Sequence, residues 1–231
     1  METAFGFPIV NAGNVFDVLT DLGIKRWEKL EAPLPLDQYL KRDLVPELRQ
    51  EVERFAPKIE AMRLRRPWDD GIYTGFRNVD KDWTTTLMLL PGDLVPIVGE
   101  YKHGVDEVIL VPPAGVPNAG ESMRDCAKRE AEEESGIPLS RVIPLLDSDT
   151  QGLAVSGRRN TQRHHPFLGI PEVPIVPGPS KLDANERLKL VLVPLVEWMK
   201  LIRCGRGIED CAVSVTYLSL ALLGRHHLIG V

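Results

Sequence analysis

Acidic side chains are concentrated in one short stretch of this chain, between residues 121 and 134. Only three basic residues accompany them, so the stretch carries an excess of negative charge. Gly136 has the position of a helix C-terminal cap, which places the last acids beside the negative end of the helix dipole. Carboxylates are unfavourable there, so the pattern predicts a bound cation. The acids are Glu121, Asp125, Glu130, Glu132, Glu133 and Glu134.

Helix geometry predicts which acids share that cation. At about 100° per residue, Glu130 and Glu134 are about 40° apart around the helix axis, and Glu133 is about 60° from Glu130. These three carboxylates can converge, whereas Glu132 points away and is expected to be solvated. Oxygen ligands suit a hard ion such as Mg²⁺ or Mn²⁺, which often binds substrate phosphates as well. The residues therefore predict metal-dependent phosphate chemistry.

The same stretch resembles the Nudix hydrolase signature, GX5EX7REUXEEXGU, in which U is a bulky apolar residue. Every fixed position is matched, although Ala131 is smaller than the pattern asks. The resemblance implies an α/β fold, a Nudix-type α/β/α sandwich with a mixed sheet, in which a loop–helix–loop unit binds divalent metal. It also implies hydrolysis of a nucleoside diphosphate linked to another group. The matched residues are Gly115, Glu121, Arg129, Glu130, Glu133, Glu134 and Gly136.

Flanking residues resemble the ADP-ribose or ADP-sugar pyrophosphatase branch of that family. Residues 100–104 and 108–115 are similar to its Gln-Tyr-Arg-like motif and to the next strand, which ends in Pro-Ala-Gly. Lys102 stands where the branch has arginine, and the resemblance implies that it contacts a substrate phosphate. Lysine keeps the charge but lacks the bidentate geometry of arginine. The resemblance covers about residues 72–223.

The resemblance assigns the metal to four residues. The carboxylates of Glu130, Glu133 and Glu134 hold a Mg²⁺ or Mn²⁺ ion, and the carbonyl oxygen of Ala114 adds a ligand. Such an ion neutralises charge that develops on the diphosphate and lowers the pKa of a bound water. The expected reaction converts ADP-ribose or a related nucleoside diphosphate sugar to a nucleoside monophosphate and a sugar phosphate.

The general base and the supporting residues are assigned in the same way. Glu133 is the first choice to orient or deprotonate the water, although a carboxylate on a metal is a weak base. Glu186 is the alternative from a loop. The loop at 156–169 lacks the acid that some members of the branch have there. Arg129 is expected to pair with Glu121 and to fix the helix.

Two further groups of residues have more than one interpretation. Phe76 and Arg77 could contact the base or ribose of a substrate, although phenylalanine more often fills the core. Residues 164–165 and 226–227 are both His-His pairs. Neither pair has an acidic residue at the spacing that would let them share a metal ion on one helix. We expect surface or loop histidines there rather than metal ligands.

Two other functions remain open at this stage. A Nudix-like sensor would bind a nucleotide sugar without cleaving it, but a binder has no need of three metal ligands. A Nudix hydrolase of another specificity would act on coenzyme A, dinucleoside polyphosphates or nucleoside triphosphates. The Pro-Ala-Gly motif and the similarity of the C-terminal residues favour the ADP-sugar branch.

Residues 1–70 fit the resemblance poorly, so we expect a largely helical N-terminal extension before a Nudix hydrolase domain over residues 71–231. A narrow apolar stripe predicts a helix over 45–65, kinked or broken near Pro57. The stripe either packs on its own domain or forms a contact between subunits. Because the resembling enzymes are commonly dimers, we expect a homodimer. The stripe consists of Leu48, Val52, Phe55, Ile59 and Met62.

The rest of the chain alternates between strand and helix patterns. A proline-rich irregular segment is expected over residues 169–181. Strands are predicted over residues 84–90, 94–101, 108–111, 142–146 and 188–193, and helices over residues 195–202 and 208–223.

Composition narrows the classes of partner and compartment. The 231 residues carry a net charge of −5, which disfavours a nucleic-acid backbone as partner. Three cysteines without CxxC spacing indicate neither a zinc site nor a disulfide framework. No apolar run approaches the ~18 residues that span a bilayer, so no membrane contact is expected. We therefore expect a cytoplasmic enzyme with a small nucleotide substrate.

Overall fold

The computed structural model describes most of the chain, and the sequence divides into two compact units. The first unit contains residues 1–27, 82–153 and 163–231, and the second contains residues 28–81 and 154–162. Residues outside the description are 1, 31, 34, 40–41, 43–45, 47–48, 51–56, 148–150, 158, 183–186, 226 and 229–231.

In the described part of the chain, strands and helices occur in blocks, with six consecutive strands directly before the acidic helix and four after it. The helices are α1 (Val15–Asp21), α2 (Leu36–Tyr39), α3 (Met123–Ser135), α4 (Leu195–Cys204) and α5 (Asp210–Leu222). The strands are β1 (Thr3–Ala4), β2 (Phe7–Pro8), β3 (Ile59–Arg65), β4 (Ile72–Asn78), β5 (Trp83–Met88), β6 (Leu94–Lys102), β7 (Glu107–Val111), β8 (Ala114–Gly115), β9 (Leu139–Pro144), β10 (Leu153–Ala154), β11 (Arg163–Pro171) and β12 (Leu188–Pro194).

The first unit contains two larger sheets in addition to the β1–β2 pair. In one of them β9, β11, β5 and β8 are hydrogen-bonded in that order. Strands β11 and β5 run parallel, and the other pairs are antiparallel. In the other sheet β6 lies between β12 and β7, with antiparallel pairing on both sides. The predicted mixed sheet is confirmed.

Alternate residues of β5 face helices on opposite sides of the sheet. Thr86 donates its hydroxyl to the carbonyl oxygen of Ala127 in α3 at 3.0 Å, and Met88 packs in the same apolar cluster as α3. Leu87 packs instead in the cluster that contains Val215 of α5. Because side chains alternate along a strand, α3 and α5 cover opposite faces. This arrangement is the predicted α/β/α sandwich.

The N-terminal residues 1–27 belong to the first unit. The N–H of Val10 donates to the carbonyl oxygen of Leu192 in β12 at 2.9 Å. Leu19 of α1 packs against Gly99 of β6 so closely that a β-carbon at position 99 would overlap the leucine side chain. This segment therefore packs in the same unit as the acidic helix.

In the second unit β3 and β4 form an antiparallel pair, with Ile59 opposite Asn78. The helix predicted over residues 45–65 is therefore wrong in its second half. Pro57 lacks the backbone N–H that would continue a helix, and β3 begins two residues later. Most side chains of β3 are exposed, so the strand lacks the alternation that marks a half-buried strand.

The first half of that prediction falls only partly within the described residues. Pro46, Arg49 and Gln50 are helical. The stripe residues Leu48, Val52 and Phe55 lie outside the described residues.

The C-terminal half follows the sequence prediction closely. β12 and α4 coincide within two residues with the strand and helix predicted over 188–193 and 195–202. The strand predicted over 142–146 is β9, which begins three residues earlier. Among the described residues, no helix is long and apolar enough to cross a membrane.

Candidate active site

Helix α3 carries the acids and is capped at both ends. At its start, Ser122 Oγ accepts a hydrogen bond from the N–H of Asp125 at 3.1 Å. At its end, Gly136 has a φ of +67° and donates its N–H to the carbonyl oxygen of Glu132 at 2.8 Å. Glycine adopts this left-handed conformation without steric cost. The predicted C-terminal cap is confirmed, so residues 132–134 lie in the last turn.

The proline-rich segment that follows β11 covers this helix end. The N–H of Gly178 donates to the carbonyl oxygen of Gly136, and that of Lys181 donates to the carbonyl oxygen of Glu133, both at 2.8 Å. A β-carbon on Gly136 would overlap the carbonyl oxygen of Gly178. Two carbonyl groups at the helix end, which have no partner within the helix, are thereby satisfied.

The guanidinium of Arg129 lies at the centre of the acidic cluster. Its Nε and Nη2 donate to the two carboxylate oxygens of Glu121 at 2.8 and 2.9 Å. Its Nη1 lies 2.8 Å from Glu130 Oε1 and 2.9 Å from Glu133 Oε2. The expected pair with Glu121 is present. Sequence reasoning did not predict that Arg129 also pairs with Glu130 and Glu133. The spacing of these residues along the helix does not by itself establish an ion pair.

These contacts stabilise the charged forms of both partners. The hydrogen bonds from Arg129 lower the pKa of Glu121. In turn, the hydrogen bonds to Glu121, and then those to Glu133 and Glu130, raise the pKa of Arg129 against the opposing effect of desolvation. The arginine therefore favours the ionised form of Glu121.

Glu130 and Glu134 both contact the two-residue strand β8. The Glu130 carboxylate packs against Gly115, where a β-carbon would overlap it. Glu134 is only 9% exposed, and its Oε2 accepts a hydrogen bond from the N–H of Ala114 at 3.0 Å. Strand β8 is held in turn by β5, where Thr85 is opposite Ala114. Glu130 and Glu134, two of the predicted metal ligands, therefore meet at Gly115 and Ala114.

The donor set fits a hard divalent cation. Three carboxylates, those of Glu121, Glu130 and Glu133, pair with the single guanidinium of Arg129. The carboxylate of Glu134, from the same helix as Arg129, lies at Ala114, so negative charge is in excess. All their donors are oxygen atoms, as Mg²⁺ and Mn²⁺ prefer. Among the described residues, no three acidic, histidine or cysteine side chains are already grouped closely enough to hold a metal ion. Glu130 and Glu133 both turn towards Arg129, which now provides their countercharge.

Glu132 takes no part in this cluster. Its Oε1 accepts a hydrogen bond from the N–H of Leu139 at 2.8 Å and lies 3.7 Å from Lys128 Nζ. The side chain points away from the other acids, as predicted, but the expectation of a merely solvated carboxylate is wrong. Glu132 joins the end of α3 to the start of β9.

Lys102, the last residue of β6, lies within electrostatic reach of the acids of α3. Its Nζ is 2.6 Å from Glu100 Oε2. Desolvation lowers the pKa of Lys102, but the hydrogen bond to Glu100 and the charges of Glu100, Glu209 and Glu134 outweigh it and raise the pKa. The ammonium group is therefore charged near Glu134. Glu100 and Lys102 belong to the same sequence motif. Nothing in the sequence around Glu209 indicated that its charge acts on Lys102.

Phe76 and Arg77 lie on β4, in the second unit. Phe76 is 61% exposed, so it is not a core residue. Arg77 pairs with Glu60 across the hairpin, with Nη2 2.8 Å from Oε2. Both residues line a cleft of about 1040 Å³ within this unit, together with Trp68, Tyr73, Arg66 and Arg159. Glu186, the alternative base, lies outside the described residues.

His164 and His165 are buried in the central strand β11, so the expectation of surface or loop histidines is wrong for this pair. The Nε2 atom of His164 is 2.6 Å from Thr85 Oγ1, and its Nδ1 atom is 3.4 Å from Ser214 Oγ. Desolvation, and then the charge of His165, lower the pKa of His164 to about 4. Sequence reasoning missed this chain of hydrogen bonds because its members are far apart in sequence.

Comparison with known proteins gives evidence on the protein family that is independent of the side-chain geometry. Residues 96–200 match the family model of the NUDIX domain. A crystal structure described as an ADP compounds hydrolase has a similar fold, with a TM-score of 0.58 and 19% sequence identity, over 74% of this chain and 90% of that chain. A search of curated proteins found no match. The matched range contains helix α3 and the complete acidic pattern, so the similarity to the NUDIX domain includes the candidate site.

Proposed function

We propose that this protein hydrolyses the diphosphate linkage of ADP-ribose or a related nucleoside diphosphate sugar in a reaction that depends on Mg²⁺ or Mn²⁺. Water adds to one phosphorus atom, the bridging P–O bond breaks, and the products are a nucleoside monophosphate and a sugar phosphate. The observation that carries the proposal is the meeting of Glu130 and Glu134 at Gly115 and Ala114, with Glu133 beside them on Arg129. The similarity in fold to an ADP compounds hydrolase supports the substrate class.

Glu130, Glu133, Glu134 and the carbonyl oxygen of Ala114 would hold the metal ion. When bound, the ion supplies countercharge to the diphosphate and lowers the pKa of a water molecule. Arg129 orients two of the three carboxylates, because its Nη1 pairs with both Glu130 and Glu133. Its pairing with Glu121 anchors the guanidinium at the start of the helix.

Glu133 is the proposed residue that orients or deprotonates the attacking water. Its side chain is 34% exposed, whereas that of Glu130 is 14% exposed, so Glu133 is the acid of the pair that water reaches more easily. Its Oε2 is engaged by Arg129 at 2.9 Å. A second carboxylate oxygen remains to accept a proton from water.

Lys102 is the proposed ligand of a substrate phosphate. It carries its charge near Glu134, and its pairing with Glu100 holds the ammonium group at the end of β6. A phosphate is a better hydrogen-bond acceptor for lysine than solvent is, since both partners are charged. For the base or ribose we propose Phe76 and Arg77, supported by the exposure of Phe76 and by the cleft that both residues line.

We further propose that the enzyme is a cytoplasmic homodimer. Free Cys126, Cys204 and Cys211 are consistent with a reducing compartment. Exposed apolar side chains on the β3–β4 hairpin support a contact with a second copy of the chain.

A substrate panel tests the proposed reaction. The purified protein is incubated with ADP-ribose, other nucleoside diphosphate sugars, coenzyme A, a dinucleoside polyphosphate and a nucleoside triphosphate, and the products are separated by chromatography. We expect AMP and ribose 5-phosphate from ADP-ribose with Mg²⁺ or Mn²⁺, and no turnover with a chelator or with the Glu134→Gln protein prepared in parallel. Faster cleavage of another compound would identify that compound as the substrate instead of ADP-ribose. Binding without turnover of any compound would indicate a nucleotide-sugar sensor.

A further inference from the structure

A second cleft lies within the first unit, away from the acidic cluster. It has a volume of about 360 Å³ and is formed by residues 22–27, which follow α1, and by the ends of β6 and β12. Its polar and aromatic lining consists of Lys25, Arg26, Trp27, Tyr101, Arg187 and Lys189. None of these residues belongs to the Nudix signature of residues 115–137, although Tyr101 is part of the branch motif at residues 100–104.

The cleft and the acidic cluster are on opposite sides of β6. Lys102 is affected by the charge of Glu134 in α3, so its side of the strand faces the acids. Tyr101 is adjacent in sequence and therefore faces the other side. Gly99, two residues before Tyr101, contacts Leu19 of α1, which confirms that this side packs on the N-terminal segment. A ligand in the cleft would be separated from the catalytic acids by the sheet.

The charge of the cleft is positive. Four of its lining residues are basic, and among the described residues that line it there is no acid. Arg26 is paired with Asp106 from the turn after β6, with Nε 2.7 Å from Oδ1. Lys25 and Lys189 form no ion pair with any residue that the structure describes. Two lysines that form no ion pair with the described residues favour an anionic ligand in the cleft they share.

The aromatic wall of the cleft is held in place by hydrogen bonds. Tyr101 donates its hydroxyl to Asp106 Oδ1 at 2.8 Å, the same carboxylate that pairs with Arg26. The Trp27 ring stacks on Tyr101, with 5.3 Å between ring centroids and 29° between ring planes. Trp27 is nevertheless 58% exposed. One face of the indole is covered by Tyr101, and the exposed surface is available to a flat ring.

We propose that this cleft binds a nucleoside monophosphate, with its phosphate between Lys25 and Lys189 and its base on Trp27. A flat ring and a phosphate in one small molecule match the two features of the lining. The volume of about 360 Å³ is near the lower end of the roughly 300–1,000 Å³ typical of ligand pockets, which favours a mononucleotide over a larger dinucleotide. The proposal concerns binding only and stands whether or not the acidic cluster hydrolyses nucleotide sugars.

Equilibrium binding of AMP tests the proposal. AMP is titrated by calorimetry into the full-length protein in a chelator, so that binding at a metal-loaded acidic cluster does not contribute. We expect one AMP per chain, at least tenfold weaker affinity for Trp27→Ala, and at least tenfold weaker affinity for the double variant Lys25→Gln, Lys189→Gln. Adenosine and ribose 5-phosphate should each bind at least tenfold more weakly than AMP.

Two controls separate this cleft from other sources of binding. Lys200→Gln removes an exposed lysine of α4 that pairs with Glu197, and it should bind AMP like the wild type. Lys102→Ala, on the opposite side of β6, reports on AMP bound at the acidic cluster, where Lys102 is the proposed phosphate ligand. The proposal is overturned if the wild type does not bind AMP, if the double lysine variant binds it normally, or if only Lys102→Ala weakens it. Equal affinity for ribose 5-phosphate would exclude the stacking of a base on Trp27.

Discussion

Glu130 and Gly115 are in such close contact that a β-carbon at position 115 would overlap the glutamate carboxylate. The backbone of Gly115 is not in the left-handed region, so glycine is required there for space rather than for conformation. Glu134 bonds to the neighbouring residue, Ala114. The Nudix pattern begins with glycine. In this protein the close packing of Glu130, from helix α3, leaves no room for a larger residue at that position.

The first prediction is that Gly115→Ala impairs the site without unfolding the protein. The new methyl group would meet the end of a flexible side chain rather than backbone, so Glu130 can move aside at a small cost in stability. A displacement of about 1 Å near reacting groups can reduce the rate about 100-fold. We expect kcat/KM for the nucleotide sugar to fall by roughly one to two orders of magnitude, with an unchanged circular dichroism spectrum.

Gly104→Ala is the matched control for this change. Position 104 is in the turn after β6, and a β-carbon there would meet no heavy atom within 4 Å. Its activity should equal that of the wild type. Wild-type kinetics for Gly115→Ala would show that the position of Glu130 does not matter.

The second prediction concerns the charge of Glu134. Glutamine at this position still accepts the hydrogen bond from Ala114 but removes a carboxylate near the negative end of α3. Metal-dependent turnover should be abolished, while the metal-free protein keeps its fold and gains at most ~0.3–1 kcal/mol from relief of the helix dipole. Turnover and thermal unfolding with and without Mg²⁺ measure these effects.

Glu132→Gln provides the comparison in the same helical turn. Its carboxylate is bonded to Leu139 and lies outside the cluster, so turnover should be retained. The assignment of the metal ligands fails if Mg²⁺ raises the Tm of a Glu130→Gln, Glu134→Gln double variant as much as that of the wild type.

The third prediction is that Lys102→Ala weakens the interaction with a substrate phosphate. A hydrogen bond to a charged group contributes roughly 1.5–3 kcal/mol, so kcat/KM should fall by about one to two orders of magnitude. Lys102→Arg keeps the charge and should be tolerated. Glu100→Gln leaves the ammonium group in place and should have a smaller effect than Lys102→Ala. Unchanged kinetics in the alanine variant would make Lys102 a surface residue without a role in binding.

The sequence predicts the acidic helix well because its determinants are local. The cap at Gly136 and the pair of Arg129 with Glu121 both depend on residues within one helix and its flanking loops. The burial of His164 depends instead on Thr85 and Ser214, which reach it through the pairing of β11 with β5 and the packing of α5. No spacing along the chain indicates such contacts.

The β3–β4 hairpin shows a second reason why a prediction from the sequence is wrong, here the helix predicted over residues 45–65. Ile59 and Met62 are three residues apart, which suits one face of a helix, and both lie on β3. A strand is recognised by alternation between a buried and an exposed face, and β3 is exposed on both. Pro57 was the only local sign that the helix ends. Pairing with β4, which begins at Ile72, decides the structure.

The fourth prediction is a dependence of stability on pH that arises from His164. Desolvation, and then the charge of His165, lower the pKa of His164 from 6.5 to about 4 in the folded protein. Below pH 6.5 the unfolded chain binds a proton that the folded protein does not bind until about pH 4. Stability is therefore complete above pH 6.5 and falls by roughly 3 kcal/mol in total as the pH is lowered to 4.

Urea unfolding between pH 7.5 and pH 4.5 measures this loss. His164→Gln cannot be protonated and should show a flatter dependence of the free energy of unfolding on pH, even if it is less stable at pH 7.5. His103→Gln, at an exposed position in the turn after β6, should keep the wild-type slope. A His164→Gln slope equal to that of the wild type would exclude this histidine as the origin.

The fifth prediction is that the β3–β4 hairpin forms the contact between two copies of the chain. A two-stranded hairpin is marginally stable in isolation, and this one exposes Ile59, Leu64, Ile72, Tyr73 and Phe76 to solvent. Ile59, Ile72 and Phe76 lie on one face of the hairpin, and exposed apolar side chains on one face indicate a surface that another protein covers. A second copy is the expected partner, because the same hairpin on two chains can pack in a self-complementary way.

Light scattering after gel filtration, at about 10 μM protein, tests this contact. The wild type should have twice the mass of one chain, and the double variant Ile59→Asp, Ile72→Asp should be a folded monomer, since burial of two carboxylates is unfavourable. Tyr73→Asp adds a charge at an exposed position on the opposite face of the same hairpin and should remain dimeric if burial of the first face drives association. A monomeric wild type would exclude the homodimer.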